Sequence, residues 1–175
     1  MLEKLGLDFE LRQTNTEEDF PGDMNVFEVA RYLAEKKGIS LKQELSEGDV
    51  LITADTVVIL DGKILGKPSD ENEAIEMLQS LSGKKHVVMT AVAFTTHSTS
   101  YSFDETTDVD FYEISESDIL HYVEHFKPYD KAGAYGIQEW IGLVAVKSIR
   151  GCFFNVIGLP VPRLWAELNA VLSTL

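Results

Sequence analysis

The stretch that decides the fold is Leu51-Ile52-Thr53-Ala54-Asp55-Thr56-Val57-Val58-Ile59-Leu60-Asp61-Gly62-Lys63-Ile64-Leu65. Its first part is rich in β-branched and apolar residues, which predicts a strand over residues 51–60. The Asp-Gly pair that follows is a strong hairpin signal, so residues 63–65 are expected to return antiparallel. Asp55 interrupts the apolar run, where an unpaired carboxylate would be costly. We therefore treat Asp55 as a candidate functional residue.

Predicted strands and helices alternate on the C-terminal side of this hairpin. Two capping boxes, Asp70 with Glu73 and Ser115 with Asp118, each predict the start of a helix. A last helix is expected after the prolines at 160 and 162. Further strands are predicted over residues 87–96, 107–112 and 143–149. This alternation predicts an α/β fold with a mixed sheet, in a single domain spanning residues 1–175.

Charge and composition narrow the class of protein. The chain has 175 residues, of which 45% are apolar, so it can bury a sizeable core. It carries 15 basic and 29 acidic residues, for a net charge of −14. Polymeric nucleic acid is bound through many lysine and arginine contacts to phosphate, so it is not expected as a partner. A small nucleotide complexed with a metal ion remains compatible, because a few local lysines can hold it.

Targeting and cysteine signals are scarce. There is no apolar run long enough to cross a membrane and no basic segment followed by an apolar signal core. A lone cysteine, Cys152, excludes an internal disulfide and a thiolate-based zinc site. We therefore expect a cytoplasmic protein without a membrane partner.

The segment Asp130-Lys131-Ala132-Gly133-Ala134-Tyr135-Gly136-Ile137-Gln138 reads as a ligand loop. Its glycines allow a close backbone approach or a positive φ angle. Lys131 suits a phosphate group, and the amide of Gln138 can match the edge of a nucleobase. From the residues alone, bland alternatives stay open. Asp55 could cap a turn, Thr56 could be an ordinary strand threonine, and each lysine could be solvated.

Taken with five further segments, this loop closely resembles the Maf family of nucleoside triphosphate pyrophosphatases. The resemblance runs nearly from end to end, with six motifs in the family's order. Besides the strand motif Thr53-Ala54-Asp55-Thr56 and the ligand loop, they include Leu65-Gly66-Lys67-Pro68, Leu81-Ser82-Gly83-Lys84-Lys85-His86, Thr106-Thr107-Asp108-Val109-Asp110-Phe111 and Asn155-Val156-Ile157-Gly158-Leu159-Pro160.

The resemblance implies a mixed sheet flanked by helices, with two lobes around a nucleotide-binding cleft. It implies a hydrolase that cuts the α–β phosphoanhydride of a nucleoside triphosphate, with Asp55 as the proton acceptor. Thr56 and Gln138 fall at positions that discriminate the base, and the form of the loop is similar to the branch that hydrolyses dTTP and UTP. The lysines implied to hold the triphosphate are Lys67, Lys84 and Lys131, with Lys37 ranked lower because Lys36 is adjacent.

A divalent cation, Mg²⁺ or Mn²⁺, is expected with the triphosphate. Candidate ligands are the carboxylates of Glu18, Glu105 and Asp130, because such cations take a few carboxylate oxygens together with water and phosphate. His86 is interpreted as a structural histidine, since no second histidine lies at metal-ligand spacing. A homodimer is left open as the form in solution.

The resemblance also raises a question about the N-terminus. Family members begin with a short apolar strand and a Ser-x-Ser-Pro-Arg-Arg loop, whereas this sequence starts inside the helix that follows that loop. The serines and arginines of the loop contact phosphate and base in the family. Without them the chain is expected to be a poor enzyme. The alternative is therefore a nucleotide-binding or regulatory protein without turnover.

Overall fold

The computed structural model describes residues 1–173 of the chain. The strands are β1 Leu51–Leu60, β2 Lys63–Leu65, β3 Lys85–Thr95, β4 Ser100–Phe111 and β5 Val146–Arg150. The helices are α1 Val29–Leu41, α2 Glu71–Leu81, α3 Glu116–Phe126, α4 Trp140–Val144, α5 Phe153–Ile157 and α6 Val161–Leu172. Short 3₁₀ turns cover Leu2–Leu5, Lys42–Glu44 and Ala132–Ala134. The α/β class predicted from the sequence is confirmed.

The strands form one sheet in the order β2-β1-β3-β4-β5. Every pairing among residues 1–173 is antiparallel, so the predicted mixed sheet is wrong for the described part of the chain. The reason lies in the connections. The turn at Asp61 and Gly62, both with positive φ, reverses the chain between β1 and β2. Helix α2 then returns the chain to the Leu60 end of β1, from which β3 runs antiparallel to it.

Strand β1 has a free edge. β2 pairs only with residues 58–60, whereas β3 pairs with β1 over residues 51–59. Within the described residues, the edge of β1 over residues 51–57 therefore has no strand beside it. Asp55 and Thr56 lie on this open stretch, and their side chains point to opposite faces of the sheet.

Helices cover both faces of the sheet. On one face α1 packs Val29, Leu33 and neighbouring small residues against β1 and β3. On the other face α2, α3 and α4 build the largest core cluster, and α6 packs a smaller one around Phe94 and Phe103. Asp55 lies on the α1 face, opposite Ala91 of β3, and Thr56 lies on the other face, opposite Thr90.

Both predicted helix starts are confirmed, with Asp70 and Ser115 as the N-cap residues. The Asp70 carboxylate accepts a hydrogen bond from the backbone N–H of Glu73 at 3.0 Å. The Ser115 hydroxyl accepts one from the N–H of Asp118 at 3.1 Å. Each satisfies a backbone donor that the first turn leaves unpaired. The helix boundaries were therefore predictable from local chemistry.

The predicted strand over residues 143–149 is only half right. Its first residues belong to α4, and pairing with β4 begins at Val146. A Cβ at Gly142 would lie 1.8 Å from the carbonyl oxygen of Ile137, so this turn of helix packs directly on the preceding loop. The apolar residues run from the helix into the strand without a polar break, so the apolar pattern alone does not mark where the strand begins. Within residues 1–173, no helix has both the length and the apolar character of a membrane span.

Candidate active site

A cleft of about 480 Å³ lies at the free edge of β1. Its walls come from β1, from the segment after β2, from α1 and from the ligand loop. Eight of the ten residues singled out in the sequence line it, namely Glu18, Lys37, Asp55, Thr56, Lys67, Asp130, Lys131 and Gln138. The fold thus brings residues more than a hundred positions apart in sequence into one site.

Asp55 lies deep in this cleft. Its side chain is 9% exposed, and its carboxylate accepts a hydrogen bond from the ammonium group of Lys37. Burial raises the pKa of the Asp55 carboxyl above its ordinary value, although Lys37 works in the opposite direction. In the described part of the chain this carboxylate has one hydrogen-bond partner, and burial increases its tendency to take up a proton.

Lys37 projects from α1 and joins two carboxylates. Besides Asp55, its ammonium group donates to Glu18 Oε1 at 2.9 Å. Burial would lower the pKa of Lys37, but the two carboxylates outweigh it and raise that pKa, so the group stays charged. The neighbouring Lys36 faces away and pairs with Asp19. The helical turn therefore separates the two lysines that the sequence alone left ambiguous.

Glu18 extends the network towards Lys67. Its Oε2 accepts from the Lys67 ammonium group at 2.6 Å. Burial works against ionisation, but the hydrogen bonds from Lys67 and Lys37 lower the pKa of the Glu18 carboxyl. Asp55, Lys37, Glu18 and Lys67 thus form a chain of alternating charge along one wall of the cleft.

The ligand loop forms another part of the cleft wall. Its Lys131 ammonium group lies 2.8 Å from Asp130 Oδ1 and 3.3 Å from Glu139 Oε1. Burial opposes the charge on Lys131, but Asp130 and Glu139 outweigh it and raise the pKa of this lysine. Gly133 adopts φ 67°, and a Cβ there would meet the Val58 side chain at 3.0 Å. A glycine is required here because the loop backbone lies directly on β1.

Tyr122 and Glu139 support this loop and were missed as site residues. The Tyr122 hydroxyl donates to Glu139 Oε2 and accepts from the backbone N–H of Gly136 at 3.0 Å. Burial and the Glu139 carboxylate raise the pKa of Tyr122, so its hydroxyl stays protonated. Helical spacing places Tyr122 on the apolar face of α3, which by itself indicates packing alone. Its hydroxyl was the sequence signal for a further role, because a tyrosine hydroxyl on a buried face needs a hydrogen-bond partner.

Thr56 and Gln138 lie in the same cleft on the side away from α1. The Thr56 hydroxyl is 2.8 Å from that of Thr90 on β3. Among the described residues, nothing hydrogen-bonds to the exposed side-chain amide of Gln138. This amide therefore has both its donor and its acceptor free for a ligand.

Lys84 and Glu105 do not belong to the cleft. Lys84 lies before β3, at the hairpin end of the sheet, where its ammonium group is 3.2 Å from the Asp61 carboxylate. Glu105 projects from β4 and pairs with Arg163 of α6 at 3.2 Å. Lys84 immediately precedes β3, whose Ala91 is the residue opposite Asp55, so Lys84 lies several residues beyond the level of Asp55. Glu105 lies on β4, which is separated from β1 by β3.

His86 is structural, as its isolation from other histidines indicated. It is 2% exposed, and its Nε2 is 2.7 Å from the hydroxyl of Tyr135 in the ligand loop. Burial lowers the pKa of His86 to about 4, so the ring is neutral at pH 7. Within residues 1–173, its Nδ1 is buried without a hydrogen-bond partner. The neutral ring connects β3 to the loop that carries Lys131 and Gln138.

Comparisons with known proteins agree with this architecture. The sequence profile described as Maf-like protein matches residues 1–171. A protein of Bacteroides thetaiotaomicron named dTTP/UTP pyrophosphatase is 46% identical over 170 residues, which cover 97% of this chain and 88% of that protein. Proteins with the same name in Porphyromonas gingivalis and Flavobacterium johnsoniae are 44% and 41% identical, over 94% and 95% of this chain and 85% and 86% of their own.

Proposed function

Because the chain belongs to the Maf family, we propose that it hydrolyses nucleoside triphosphates to the monophosphate and pyrophosphate. The observation that carries the proposal is the buried Asp55 carboxylate at one end of a chain of charges formed with Lys37, Glu18 and Lys67. Such an arrangement places a carboxylate that can take a proton from water next to ammonium groups that can bind phosphate. The names of the relatives support dTTP and UTP as substrates.

Asp55 is the proposed general base. A water molecule beside it loses a proton to the carboxylate while the water oxygen bonds to the α-phosphorus, and the bond from that phosphorus to the bridging oxygen breaks. The raised pKa of Asp55 favours this role, because a base works best when its pKa approaches the working pH. Pyrophosphate departs with the bridging oxygen.

Lys67 and Lys131 are the proposed phosphate-binding groups. They come from two different segments of the cleft wall, so a triphosphate bound beside them would meet two positive charges. The side chains of their carboxylate partners, Glu18 and Asp130, are 40% and 78% exposed, so the lysines can exchange part of these contacts for phosphate oxygens. Fixed positive charge then stabilises the charge that develops on the leaving group.

The residues present also fit a divalent cation. Among the described residues no group of three acidic, histidine or cysteine side chains could hold a metal by itself. Mg²⁺ however is commonly held by one or two carboxylates together with substrate phosphates and water. Glu18 would hold the ion, with Asp130 as a second candidate from the ligand loop, whereas Glu105 lies elsewhere. When bound, the cation would neutralise phosphate charge.

A cytoplasmic location is part of the proposal, because the substrate pool and the lone cysteine both fit a reducing compartment that contains nucleotides. Whether the protein works as a homodimer is addressed by light scattering on the purified protein. Neither property enters the chemistry proposed for the cleft.

The test is hydrolysis of dTTP, UTP, CTP, ATP and GTP by the purified chain with Mg²⁺ or Mn²⁺. We expect dTTP and UTP to yield the monophosphate and pyrophosphate in equal amounts. Release of inorganic phosphate with a nucleoside diphosphate would show that the β–γ bond is cut, and it would overturn the proposed cleavage between the α- and β-phosphates. Binding of dTTP or UTP without any product would favour the regulatory alternative and overturn the proposed reaction.

A further inference from the structure

The hydroxyl of Thr56 ends a hydrogen-bond relay that begins in the core. Thr56 Oγ1 lies 2.8 Å from Thr90 Oγ1, and Thr90 Oγ1 lies 2.9 Å from the backbone carbonyl oxygen of Asn155. Thr90 and Asn155 are both fully buried, whereas Thr56 lines the cleft. The relay therefore connects the interior of the sheet to the ligand-facing surface.

The direction of the relay follows from donor counting. A carbonyl oxygen only accepts, so the short contact between Thr90 and Asn155 requires the proton of the Thr90 hydroxyl. A threonine hydroxyl has a single proton, and that of Thr90 is thereby used. In the contact between Thr56 and Thr90, the donor must then be Thr56. Its own single proton points away from the cleft, and only lone pairs remain for a ligand.

The core holds this direction firmly. The Asn155 side chain accepts from the backbone N–H of Thr90 at 3.1 Å and donates to the carbonyl oxygen of Val88 at 3.0 Å and to Thr107 Oγ1 at 2.9 Å. These bonds fix α5 against β3 and β4. Thr90 is thus oriented by buried groups that have no other arrangement available without losing a hydrogen bond.

Space remains in front of the Thr56 oxygen. Gly158, which follows α5, also lines the cleft, and a Cβ at this position would lie 3.6 Å from Thr56 Oγ1. The glycine has φ 113°, so a larger residue would be strained as well as closer to the hydroxyl. A ligand can therefore approach the acceptor side of Thr56.

We infer that Thr90 is a positioning residue that makes Thr56 an obligatory hydrogen-bond acceptor and thereby selects thymine and uracil over cytosine. This inference rests on the proposed function. Thymine and uracil carry a ring N–H at N3 between two carbonyl oxygens, whereas cytosine has an unprotonated N3. An acceptor at Thr56 pairs with the first and repels the second, while the free amide of Gln138 can donate to a neighbouring carbonyl oxygen.

The experiment compares Thr90→Val with Thr90→Ser, using kcat/KM for UTP, CTP and 3-methyluridine triphosphate. Valine keeps the shape of threonine but frees the Thr56 proton, so Thr56 can donate to cytosine N3. We expect the UTP/CTP ratio to fall by about 2- to 10-fold in Thr90→Val, the range for one neutral hydrogen bond. Thr90→Ser retains the relay and should keep the parent ratio.

Two further measurements keep the inference separate from catalysis and from folding. Binding of non-hydrolysable α,β-methylene UTP and CTP, measured by calorimetry, should show the same change of ratio even if turnover is absent. Thr56→Val should lose affinity for UTP without gaining affinity for CTP. This variant covers the case in which Thr90→Val does not fold. The parent should discriminate against 3-methyluridine triphosphate, whose N3 carries no proton.

An unchanged UTP/CTP ratio in folded Thr90→Val, in hydrolysis or in binding, would overturn the role of Thr90. Equal use of UTP and 3-methyluridine triphosphate by the parent would overturn Thr56 as the acceptor for N3–H. Failure of the parent to hydrolyse any nucleotide would count against the proposed function alone, because the binding ratios still test the relay.

Discussion

Asp55 on β1 and Lys37 on α1 meet as an ion pair beside the free edge of the sheet. Their backbones belong to different layers, and the contact is made where α1 crosses the strand. Burial raises the pKa of Asp55, and Lys37 limits the rise. The ammonium group of Lys37 also pairs with Glu18, so it keeps one carboxylate partner when the contact with Asp55 changes.

Asp55→Asn should lower kcat by about 10²- to 10⁴-fold, the usual loss on removing a positioned base. The amide keeps the shape of the carboxylate but cannot accept a proton from water, and Lys37 retains Glu18 as a partner. Pyrophosphate release and melting curves give the two readouts. The matched control is Asp61→Asn in the hairpin turn, which should leave both unchanged because asparagine tolerates the positive φ there. Full activity of Asp55→Asn would remove it from the chemistry.

Lys67→Ala and Lys131→Ala should each reduce kcat/KM for the triphosphate by roughly 10- to 100-fold, the range for a lost hydrogen bond between charged groups. The melting temperature of Lys67→Ala should change little, since its ion pair with Glu18 is exposed and such pairs contribute little to folding. Lys84→Ala is the control of the same chemical kind, because Lys84 pairs with Asp61 outside the cleft. A loss in Lys84→Ala as large as in the other two would contradict the placement of the site.

Local features of the fold were predictable from the sequence. The hairpin at Asp61 and Gly62 and the helix starts at Asp70 and Ser115 depend on residues within a few positions of one another. Asp55 was identifiable because a charge in an apolar strand is costly unless it has a partner. That Lys37 supplies the partner was not predicted, because Lys37 was identified only as a candidate triphosphate ligand, ranked lower because Lys36 is adjacent.

Long-range pairing was not predictable. Whether β3 runs parallel or antiparallel to β1 depends on where α2 returns the chain, and the strand pattern is the same in either case. The resemblance alone also could not show that Lys84 and Glu105 end outside the cleft, because a motif states residue types and not positions in space. Tyr122 and Glu139 form a contact between a helix and a loop. Helical periodicity indicates only that Tyr122 packs in the core, and it does not predict a partner in a distant loop.

Tyr122→Phe should loosen the ligand loop. The change removes the hydroxyl that joins the Gly136 N–H to Glu139, and it leaves the buried N–H of Gly136 without its hydrogen-bond acceptor. We expect a loss of about 1–3 kcal/mol in the free energy of unfolding. KM for the triphosphate should rise as well, because Lys131 loses part of its support through Glu139. Urea unfolding and steady-state kinetics measure the two effects, with the exposed Tyr112→Phe as control. Unchanged values in both assays would show that the hydroxyl contact is dispensable.

Gln138→Ala should flatten the preference between pyrimidine and purine triphosphates. The amide is exposed to the cleft and has no partner within residues 1–173, so its removal costs the protein no internal hydrogen bond. Discrimination that depends on its hydrogen bond to the base is then lost, with the stability unchanged. The measurement is kcat/KM for UTP, dTTP, ATP and GTP in parent and variant. If the ranking of these substrates stays the same, Gln138 does not contact the base.

The last prediction concerns His86 and the pH dependence of stability. Burial lowers the pKa of His86 from 6.5 to about 4. As the pH falls through this window, the unfolded chain binds a proton that the folded chain excludes, so the free energy of unfolding decreases. The neutral state thus contributes stability that is fully present above pH 6.5. The full shift corresponds to about 3 kcal/mol, since each pKa unit is worth about 1.4 kcal/mol.

Urea unfolding of the parent and of His86→Gln between these two pH values tests this expectation. Glutamine does not titrate but can still hydrogen-bond to the Tyr135 hydroxyl, so the variant should lose less stability than the parent as the pH falls. His97→Gln, in the exposed turn between β3 and β4, should follow the parent curve. Proton NMR titration of the His86 ring in the folded parent gives the pKa directly and does not depend on how well the variant folds. A ring that titrates near pH 6.5, or parallel curves for parent and His86→Gln, would mean that burial does not hold His86 neutral.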